Sequence, residues 1–558
     1  KGGKFASTKD SNYMSKMENK GTIDINSDSS IGIGMLHSIQ GVYNSGVINI
    51  GKYDPSSKVN SNSGLGSTTK VDGAVGVYAN VQTTPVDNGE FDDFGDETGV
   101  NSAGLVGTYG IELGGNVNIE KYATKSAGAR IQKEGSVTVK GTVTIKSGAE
   151  QNYGAVVEGE DYTRIKRIGG TSGGTPESKI GRIDIASTGT IDVNGKDSLG
   201  YVLLKGAGSS AGHITVNANN SLGFYGNKGK FENSGEITTT GEGSHAVVLQ
   251  NTGSGTVTSA TQTLTFDNTG NITANTEGTV GIYAESGSHF SHSGTGKKIT
   301  AGKGAVGTYA VGTGTKGTVE AEIDVLGSKE TATKKYTGIG VYSDGNSETT
   351  FNTGAKLTLG EKTVGLFSSD ASKFENTFIN LQNLEASIGD GSVFAYFNKD
   401  EGTPTVTITN QTLGNLNVKK LGDKAAMFYG DKGTTVNING SIDFTSFTGS
   451  TISPTAQFLV SNNGNANIGA SKTIKSNLKT TVSGLNEAKV KNAGTIEMSG
   501  TNESVGIYLK GSEGTNEATG TITADEEKSI GIYGVKNGTK TSKLENAGTI
   551  ETKKKASV

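Results

Sequence analysis

The chain has 558 residues, of which 86 are Gly and only 5 are Pro, and 32% are hydrophobic. So little apolar mass argues against a thick globular core, while the Val, Ile, Thr and Tyr that recur throughout favour folded β-structure over disorder. The formal net charge of −4 gives no general attraction to nucleic acid or to an anionic membrane, so we expect neither as a partner.

The chain contains no Cys, which suits an exported protein that must not cross-link in an oxidising compartment. Its beginning shows no signal-peptide pattern, and no run of about 18 apolar residues occurs that would form a transmembrane helix. We therefore expect either a cytoplasmic protein or an internal fragment of a longer exported one.

One phrase, apolar-Gly-apolar-aromatic, recurs along the chain at intervals near 25 residues. The interval is 26 between Val280 and Val306 (306 − 280) and 25 between Val505 and Ile530 (530 − 505). A period of this length indicates a repeat architecture. The clear copies are at 75–78, 106–109, 280–283, 306–309, 339–342, 364–367, 505–508 and 530–533.

A second phrase, Asn-x-Gly-x-Ile, alternates with the first, so that each repeat holds two clear short strands. Asn and the following Gly suit a corner, and we expect this Gly to adopt a positive φ and the Asn side chains to form a ladder. Alternation in the first phrase predicts that Val505 and Ile507 point inward and that Gly506 and Tyr508 point outward or lie at a corner. Copies of the second phrase are at 19–23, 44–48, 233–237, 268–272, 492–496 and 546–550.

These strands predict the fold. Helical solenoids, propellers and leucine-rich repeats each require a pattern that is missing here. The remaining architecture is an all-β, right-handed parallel β-helix (a β-solenoid) of roughly 20 coils with about 25 residues per coil. We predict a single continuous β-helix over residues 1–558, interrupted by loop insertions at 51–74, 80–104 and 158–179.

The insertions are the candidate binding sites, because coil strands are fixed by stacking while loops are free to vary. Residues 85–98, within the second insertion, combine acidic and aromatic side chains in a pattern that suits a basic partner. An excursion whose Phe residues fold back on the β-helix is the alternative, and the Asp-x-Asp-x-Asp-Gly spacing of a calcium loop is absent. The candidate partner-binding residues of this loop are Glu90, Phe91, Asp92, Asp93 and Phe94.

The insertion at 158–179 holds two of the four Arg residues of the chain. Arg is enriched at interface hot spots, so this loop is the other candidate, although it could merely decorate the surface. Its candidate partner-binding residues are Tyr162, Arg164, Lys166 and Arg167.

Other patterns point to chemistry less strongly. Tyr283, Tyr309 and Tyr342 could form an aromatic platform for a glycan, but a Tyr in every coil favours a structural ladder. Gly-x-Gly-x-x-Gly strings occur about as often as chance predicts in so Gly-rich a chain, and His289 and His292 have no evident third ligand. We therefore predict no catalytic residues, no metal and no cofactor.

The alternating phrases, in a Lys-rich background without Cys, resemble the passenger repeats of the very large monomeric (type Va) autotransporters of fusobacteria. The resemblance covers nearly the whole chain and is a repeat style, with degenerate copies between residues 411 and 490. It implies a signal peptide upstream and a C-terminal β-barrel translocator, neither of them in this chain. It also implies export through the periplasm to the outer membrane and the bacterial cell surface.

The same resemblance implies an adhesin and virulence factor, monomeric and without enzyme activity. Its partners would be host-cell receptors, either immunoglobulin-fold immune receptors or Gal/GalNAc glycans, or other bacteria. A structural spacer stalk without its own site is the main alternative. A β-helical polysaccharide-degrading enzyme is a further one, for which Asp184 and Asp192 would be a candidate carboxylate pair.

Overall fold

Short parallel β-strands make up almost all of the regular structure, and successive strands of the chain visit three sheets in turn. We call them sheets 1, 2 and 3 in the order of one coil. In the coil that begins at Arg182, Arg182–Ile185 lies in sheet 1, Thr190–Val193 in sheet 2 and Leu199–Lys205 in sheet 3. The next strand, Ala207–Ser210, returns to sheet 1 and pairs in parallel with Arg182–Ile185. This is a parallel β-helix, and the predicted fold class is confirmed.

The computed structural model describes residues 17–36, 42–53, 70–81, 110–133, 136–159, 162–165, 176–179, 181–251, 263–398, 404–414, 416–447 and 449–554. The chain divides into two compact units, residues 1–236 and 237–558, and the boundary falls within the strand Glu236–Thr239.

In the first unit the strands of each sheet follow one another in chain order. Sheet 1 contains Met17–Asn19, Val42–Asn44, Gly110–Leu113, Ser136–Val139, Arg182–Ile185, Ala207–Ser210 and Lys230–Asn233. Sheet 2 contains Thr22–Ile25, Val47–Ile50, Asn116–Ile119, Thr142–Ile145, Thr190–Val193 and His213–Val216. Sheet 3 contains Ile31–Leu36, Val75–Val81, Ala127–Lys133, Tyr153–Glu158, Leu199–Lys205 and Leu222–Gly226. A separate parallel pair is Val71–Asp72 with Ala123–Thr124.

In the second unit sheet 3 runs without interruption, whereas sheets 1 and 2 each end and are replaced by a new sheet. Sheet 3 contains His245–Gln250, Val280–Glu285, Val306–Val311, Ile339–Ser343, Val364–Ser368, Val393–Phe397, Ala426–Gly430, Gln457–Asn462, Thr480–Leu485, Val505–Lys510 and Ile530–Val535. Sheet 1 contains Thr265–Asn268, His289–His292, Lys316–Val319, Glu348–Phe351 and Phe378–Ile379, and its successor contains Thr405–Thr409, Thr435–Asn439, Asn465–Ile468, Lys489–Asn492, Glu513–Asn516 and Lys543–Asn546. Sheet 2 contains Asn271–Ala274, Lys298–Ala301, Glu322–Gly327, Lys356–Glu361, Glu385–Ile388, Asn417–Leu421 and Thr451–Ile452, and its successor contains Ile442–Asp443, Thr473–Ser476, Thr495–Met498, Thr521–Ala524 and Thr549–Thr552.

Helices are short and are confined, among the described residues, to the region where sheets 1 and 2 are replaced. The α-helices are Phe374–Thr377 and Asn410–Leu413. The 3₁₀ helices are Ala371–Lys373, Leu381–Asn383 and Phe444–Ser446. No helix in the described ranges is long and apolar enough to cross a membrane.

The core is a stack of apolar side chains that repeats from coil to coil. In sheet 2 of the first unit, Val117, Val143, Ile191 and Ile214 occupy successive positions in one column. All four are fully buried. Because each coil contributes only a few such residues, a chain with 32% hydrophobic residues suffices for a continuous core.

The glycine of the apolar-Gly-apolar-aromatic phrase faces the core, so the prediction that Gly506 points outward or lies at a corner is wrong. Ile507 is buried as predicted, whereas Val505, also predicted to point inward, is only half-buried. A Cβ atom on Gly506 would lie 2.7 Å from the carbonyl oxygen of Gly531 and 2.9 Å from Cγ2 of the core residue Ile522. The register of paired residues passes from Val505 to Ile507 without Gly506, so the regular alternation of faces is interrupted here. Gly is required because successive coils approach too closely there for a side chain.

The same close approach repeats along sheet 3 of the second unit, which leads to a prediction. A Cβ atom on Gly307 would lie 2.6 Å from the Gly340 carbonyl oxygen and 2.7 Å from Cγ2 of Ile323. Gly307→Ala is therefore expected to lower the free energy of unfolding by about 1–3 kcal/mol, measured by urea denaturation followed by circular dichroism. Gly114→Ala is the control, because a Cβ atom on Gly114 would lie 3.6 Å from its nearest neighbour, the carbonyl oxygen of Asn44. Equal effects of the two substitutions would contradict this account.

The Asn-x-Gly-x-Ile phrase forms the corner between sheets 1 and 2, as expected. The Asn side chains form a ladder, in which Asn492 Nδ2 donates to Asn516 Oδ1 at 2.8 Å and Asn516 Nδ2 to Asn546 Oδ1 at 2.8 Å. The prediction of a positive φ for the Gly is wrong, because Gly548 is not among the positive-φ residues. Gly is needed there for space, since a Cβ atom on Gly548 would lie 2.2 Å from the carbonyl oxygen of Gly520.

The inward glycine of sheet 3 is replaced by larger residues in four successive coils. The register places Phe394, Met427, Phe458 and Thr481 at this position, and all four side chains are buried. These coils overlap the region where sheets 1 and 2 are replaced and the helices occur. Buried Phe rings fill the interior of residues 374–458, which we call the Phe-rich segment. The degenerate sequence copies between residues 411 and 490 overlap this segment.

Candidate functional site

Two of the three predicted insertions, 80–104 and 158–179, begin where strands of sheet 3 in the first unit end. Both therefore start from the same edge of this sheet. Val75–Val81 pairs directly with Ala127–Lys133, and Ala127–Lys133 pairs with Tyr153–Glu158. Residues 82–109 follow the first of these strands and residues 159–181 follow the third. Because neighbouring strands lie about 4.8 Å apart, the two departure points are about 10 Å apart.

The predicted site residues fall mainly outside the described ranges. Glu90, Phe91, Asp92, Asp93 and Phe94 lie outside them, as do Lys166, Arg167 and the repeat copy at 106–109. Tyr162 and Arg164 lie in Tyr162–Ile165, which pairs antiparallel with Pro176–Lys179 so that Arg164 is opposite Glu177. The insertion at 158–179 therefore contains a β-hairpin.

A cluster of apolar side chains lies on the outer face of sheet 3 in the first unit. We call it the outer patch. Its buried members are covered by four half-buried side chains, Tyr78, Tyr153, Leu199 and Tyr225. Sequence reasoning missed it, because its members come from strands up to about 150 residues apart and only the register of the coils brings them together. The buried members are Val75, Ala127, Val156 and Val202.

A chain of hydrogen bonds runs through and beside the outer patch, because Arg130 lies between Tyr78 and Val156 in the register. Arg130 donates to both carboxylate oxygens of Glu158, with Nη2 2.8 Å from Oε1 and 2.7 Å from Oε2. Gln132 Nε2 also donates to Glu158 Oε2 at 2.7 Å, and Tyr78 donates its hydroxyl proton to Gln132 Oε1 at 2.5 Å. The charges of Arg130 and Glu158 are thus paired, and the hydrogen bonds hold these side chains in one arrangement.

In the second unit the tyrosines of the first phrase form a stack of rings. The ring centroids of Tyr283 and Tyr309 are 5.2 Å apart, and those of Tyr309 and Tyr342 are 4.0 Å apart with an interplanar angle of 4°. Burial, and then the hydrogen bond to Glu285, raise the pKa of Tyr283 to about 12. Since the ring faces cover one another, this arrangement matches a structural ladder better than a platform for a sugar.

The candidate carboxylate pair does not form a shared site. Asp184 lies in sheet 1, where Arg182 Nε is 2.5 Å from its Oδ2 and Ser209 donates to its Oδ1 at 2.6 Å. Asp192 lies in sheet 2 between Thr144 and Thr215, and burial raises the pKa of its carboxyl. Two carboxylates on different sheets do not converge on one groove.

A further hairpin, unnoticed in the sequence, projects from the second unit. Lys329–Glu330 pairs antiparallel with Lys335–Tyr336, and its turn is exposed. The repeat spacing could have revealed this hairpin in the sequence. The step from Val306 to Ile339 is 33 residues (339 − 306), which exceeds the usual 25 or 26.

No described group of three or more His, Cys, Asp or Glu residues is placed to hold a metal ion. His292 is buried, with Nδ1 2.8 Å from Asn268 Nδ2 and Nε2 3.1 Å from the Glu322 carbonyl oxygen. It occupies a position of the asparagine ladder, so its contacts are structural. No protein family, curated protein sequence or solved structure matches the chain.

Proposed function

We propose that this protein is a bacterial surface adhesin and virulence factor that binds a host-cell receptor through loops of its first unit. The observation that carries the proposal is the common edge of sheet 3 from which residues 82–109 and 159–181 depart, about 10 Å apart. Loops on a rigid scaffold are common binding sites, and two loops this close can contact one partner. Export to the cell surface is part of the proposal and rests on the resemblance to autotransporter passengers.

The test is binding of the purified protein to a panel of immunoglobulin-fold receptor ectodomains and to a glycan array, with each hit repeated in free galactose. Replacing residues 85–98 or 162–179 by a short Gly/Ser turn is expected to weaken binding at least tenfold while the β-sheet circular dichroism persists. The matched control replaces the hairpin 329–336 by the same turn and is expected to bind normally. Equal binding by all three variants would contradict the proposal.

A structural spacer is the second candidate, favoured by the charge pattern of sheet 2 in the second unit. Lys298, Glu322, Lys356 and Glu385 are successive members of one outward column of alternating charge. Lys298 Nζ is 3.1 Å from Glu322, and Lys356 Nζ is 3.8 Å from Glu385. The Lys and Glu side chains of this face pair with one another, so the face does not need a charged partner. A spacer would bind no member of the panel.

A further inference from the structure

Five Asn-Gly pairs occur in the chain, and each is a place where the asparagine side chain is chemically labile. The backbone nitrogen of the glycine attacks Cγ of the asparagine, ammonia leaves, and water opens the resulting succinimide ring to aspartate or isoaspartate. Glycine favours this reaction because it has no side chain to shield the attacking nitrogen and because its backbone moves freely. The asparagines of these pairs are Asn88, Asn194, Asn439, Asn463 and Asn537.

In three of the pairs the glycine is packed against the preceding coil. Gly195, Gly440 and Gly464 are buried. A Cβ atom on Gly464 would lie 2.5 Å from the carbonyl oxygen of Thr434, and the other two glycines approach the preceding coil similarly closely. Ring closure swings the glycine nitrogen toward the asparagine side chain, and a glycine held in this way has no room for that movement. A fourth pair, at Asn88, lies outside the described residues.

The fifth pair, Asn537–Gly538, lies in an exposed turn that follows the strand Ile530–Val535. The amide of Asn537 donates to the Lys540 carbonyl oxygen at 2.9 Å, and the amide of Lys540 donates to the Asn537 carbonyl oxygen at 3.1 Å. These two hydrogen bonds do not use the amide of Gly538. Gly538 has a φ of 60°, and apart from its chain neighbours no heavy atom of the described residues would lie within 4 Å of a Cβ atom on it. The attacking nitrogen therefore has space to move.

The Asn537 side chain extends a ladder of amides along the preceding coils. Its Nδ2 donates to Asn486 Oδ1 at 2.6 Å, and Asn486 Nδ2 donates to Asn462 Oδ1 at 2.6 Å. A carboxylate at position 537 has only oxygen atoms to offer to Asn486 Oδ1, so conversion removes this hydrogen bond. Isoaspartate also lengthens the backbone of the turn by a methylene group. Conversion of Asn537 thus loosens the turn from the coils beneath it.

We propose that Asn537 is a site of spontaneous deamidation in the folded protein. A bond forms between the Gly538 nitrogen and Cγ of Asn537, the bond from Cγ to Nδ2 breaks, and the Gly538 amide proton leaves with the ammonia. Water then opens the ring on either side of the Gly538 nitrogen and gives aspartate or isoaspartate. The fold protects the other described pairs, those of Asn194, Asn439 and Asn463. The structure selects the site, because the two residue types are the same in every pair.

The test is peptide mapping by mass spectrometry of the whole chain, incubated at mildly alkaline pH in buffer and, in parallel, unfolded in guanidinium chloride. Incubation continues until all four described pairs have reacted in the unfolded sample, where they are expected to react at similar rates. In buffer, conversion at Asn537 is expected to be at least tenfold faster than at any of the three packed pairs. The matched variant is Asn537→Gln, which keeps a side-chain amide but closes a ring much more slowly. It is expected to remove the signal at position 537 and to leave the other pairs unchanged.

Each outcome decides the inference. Aspartate and isoaspartate at position 537 in buffer, with the three packed pairs retained, support it. An Asn537 that stays an amide in buffer while it reacts in guanidinium chloride overturns it. Reaction of Asn194, Asn439 or Asn463 in buffer as fast as that of Asn537 also overturns it, because the fold would then not select the site. Aspartate without isoaspartate overturns the succinimide route.

Discussion

Replacing Phe428 by Ala is expected to lower the free energy of unfolding by about 3–5 kcal/mol, the range typical of a fully buried ring. Phe428 is 0% exposed and lies at the centre of the Phe-rich segment. Its ring centroid is 5.6 Å from that of Phe458, 6.4 Å from that of Phe394 and 6.4 Å from that of Phe397. Loss of this ring removes contacts to three others and leaves a cavity that their backbones cannot close.

Urea denaturation followed by circular dichroism measures this effect. Phe428→Leu is the matched variant, because it keeps most of the apolar volume and is expected to cost much less than Phe428→Ala. If both substitutions shift the urea midpoint equally, the loss does not come from the cavity. An unchanged midpoint for Phe428→Ala would mean that the ring cluster does not stabilise this part of the chain.

Acid is expected to destabilise the second unit through His292. Burial lowers the pKa of this imidazole from 6.5 to about 4, against the smaller opposing effect of its hydrogen bonds to Glu322 and Asn268. The unfolded chain therefore binds a proton at a pH at which folded His292 is still neutral. The free energy of unfolding is therefore highest above about pH 6.5, decreases as the pH drops toward 4 and is constant below that. His292 accounts for a total decrease of about 3 kcal/mol.

His292→Asn isolates this effect, because Asn is the usual residue of the ladder and does not titrate. The variant is expected to lose less stability between pH 7 and pH 4 than the original protein, measured as the difference between urea midpoints at the two pH values. Burial also lowers the pKa of His245 and of His289, so part of the acid dependence remains in the variant. Identical pH dependence of the two proteins would show that His292 is not held neutral.

The fold could be predicted because its determinants are periodic. The recurring Val-Gly-Ile-Tyr and Asn-x-Gly-x-Ile phrases specify strands, corners and register, and a period near 25 residues leaves few architectures. The role of the glycines could not be read in the same way. The phrase shows that a Gly recurs at the position of Gly307, but only the stacking of the coils shows that the Gly340 carbonyl oxygen leaves no room there for a side chain.

Features without a repeated phrase were harder to predict. In the sequence the Phe-rich segment shows only degenerate copies of the repeat. In the structure, however, sheet 3 continues through it, and Phe394 and Phe458 occupy the glycine position. A buried column of hydrogen bonds in the first unit was also missed. The backbone amide of Asn152 donates to Ser198 Oγ at 3.1 Å, and that of Ser198 donates to Ser221 Oγ at 3.1 Å. Ser and Asn in turns look like ordinary turn residues until the coils are stacked.

The candidate site was predicted only in part. Insertions are visible as interruptions of the repeat, and the segment that contains Arg164 was identified in this way. Two things depend on the register instead: the departure of both loops from one edge, and the assembly of the outer patch. Tyr78 and Tyr153 lie on one surface only because three strands pair side by side. These strands are Val75–Val81, Ala127–Lys133 and Tyr153–Glu158.

The glycine column of sheet 3 also bears on how genes for such chains change in length. Where this column holds glycine, as at Gly281, Gly307 and Gly340, each coil presents a similar contact to the coil before it and to the coil after it, so an in-frame deletion of one such period preserves both contacts. Excising residues 280–305 would place Val306, Gly307 and Tyr309 where Val280, Gly281 and Tyr283 now stand, against the strand His245–Gln250. Unequal recombination between repeats can therefore shorten or lengthen the chain in steps of one coil without creating a mismatched junction, whereas a deletion of half a period would be eliminated by misfolding.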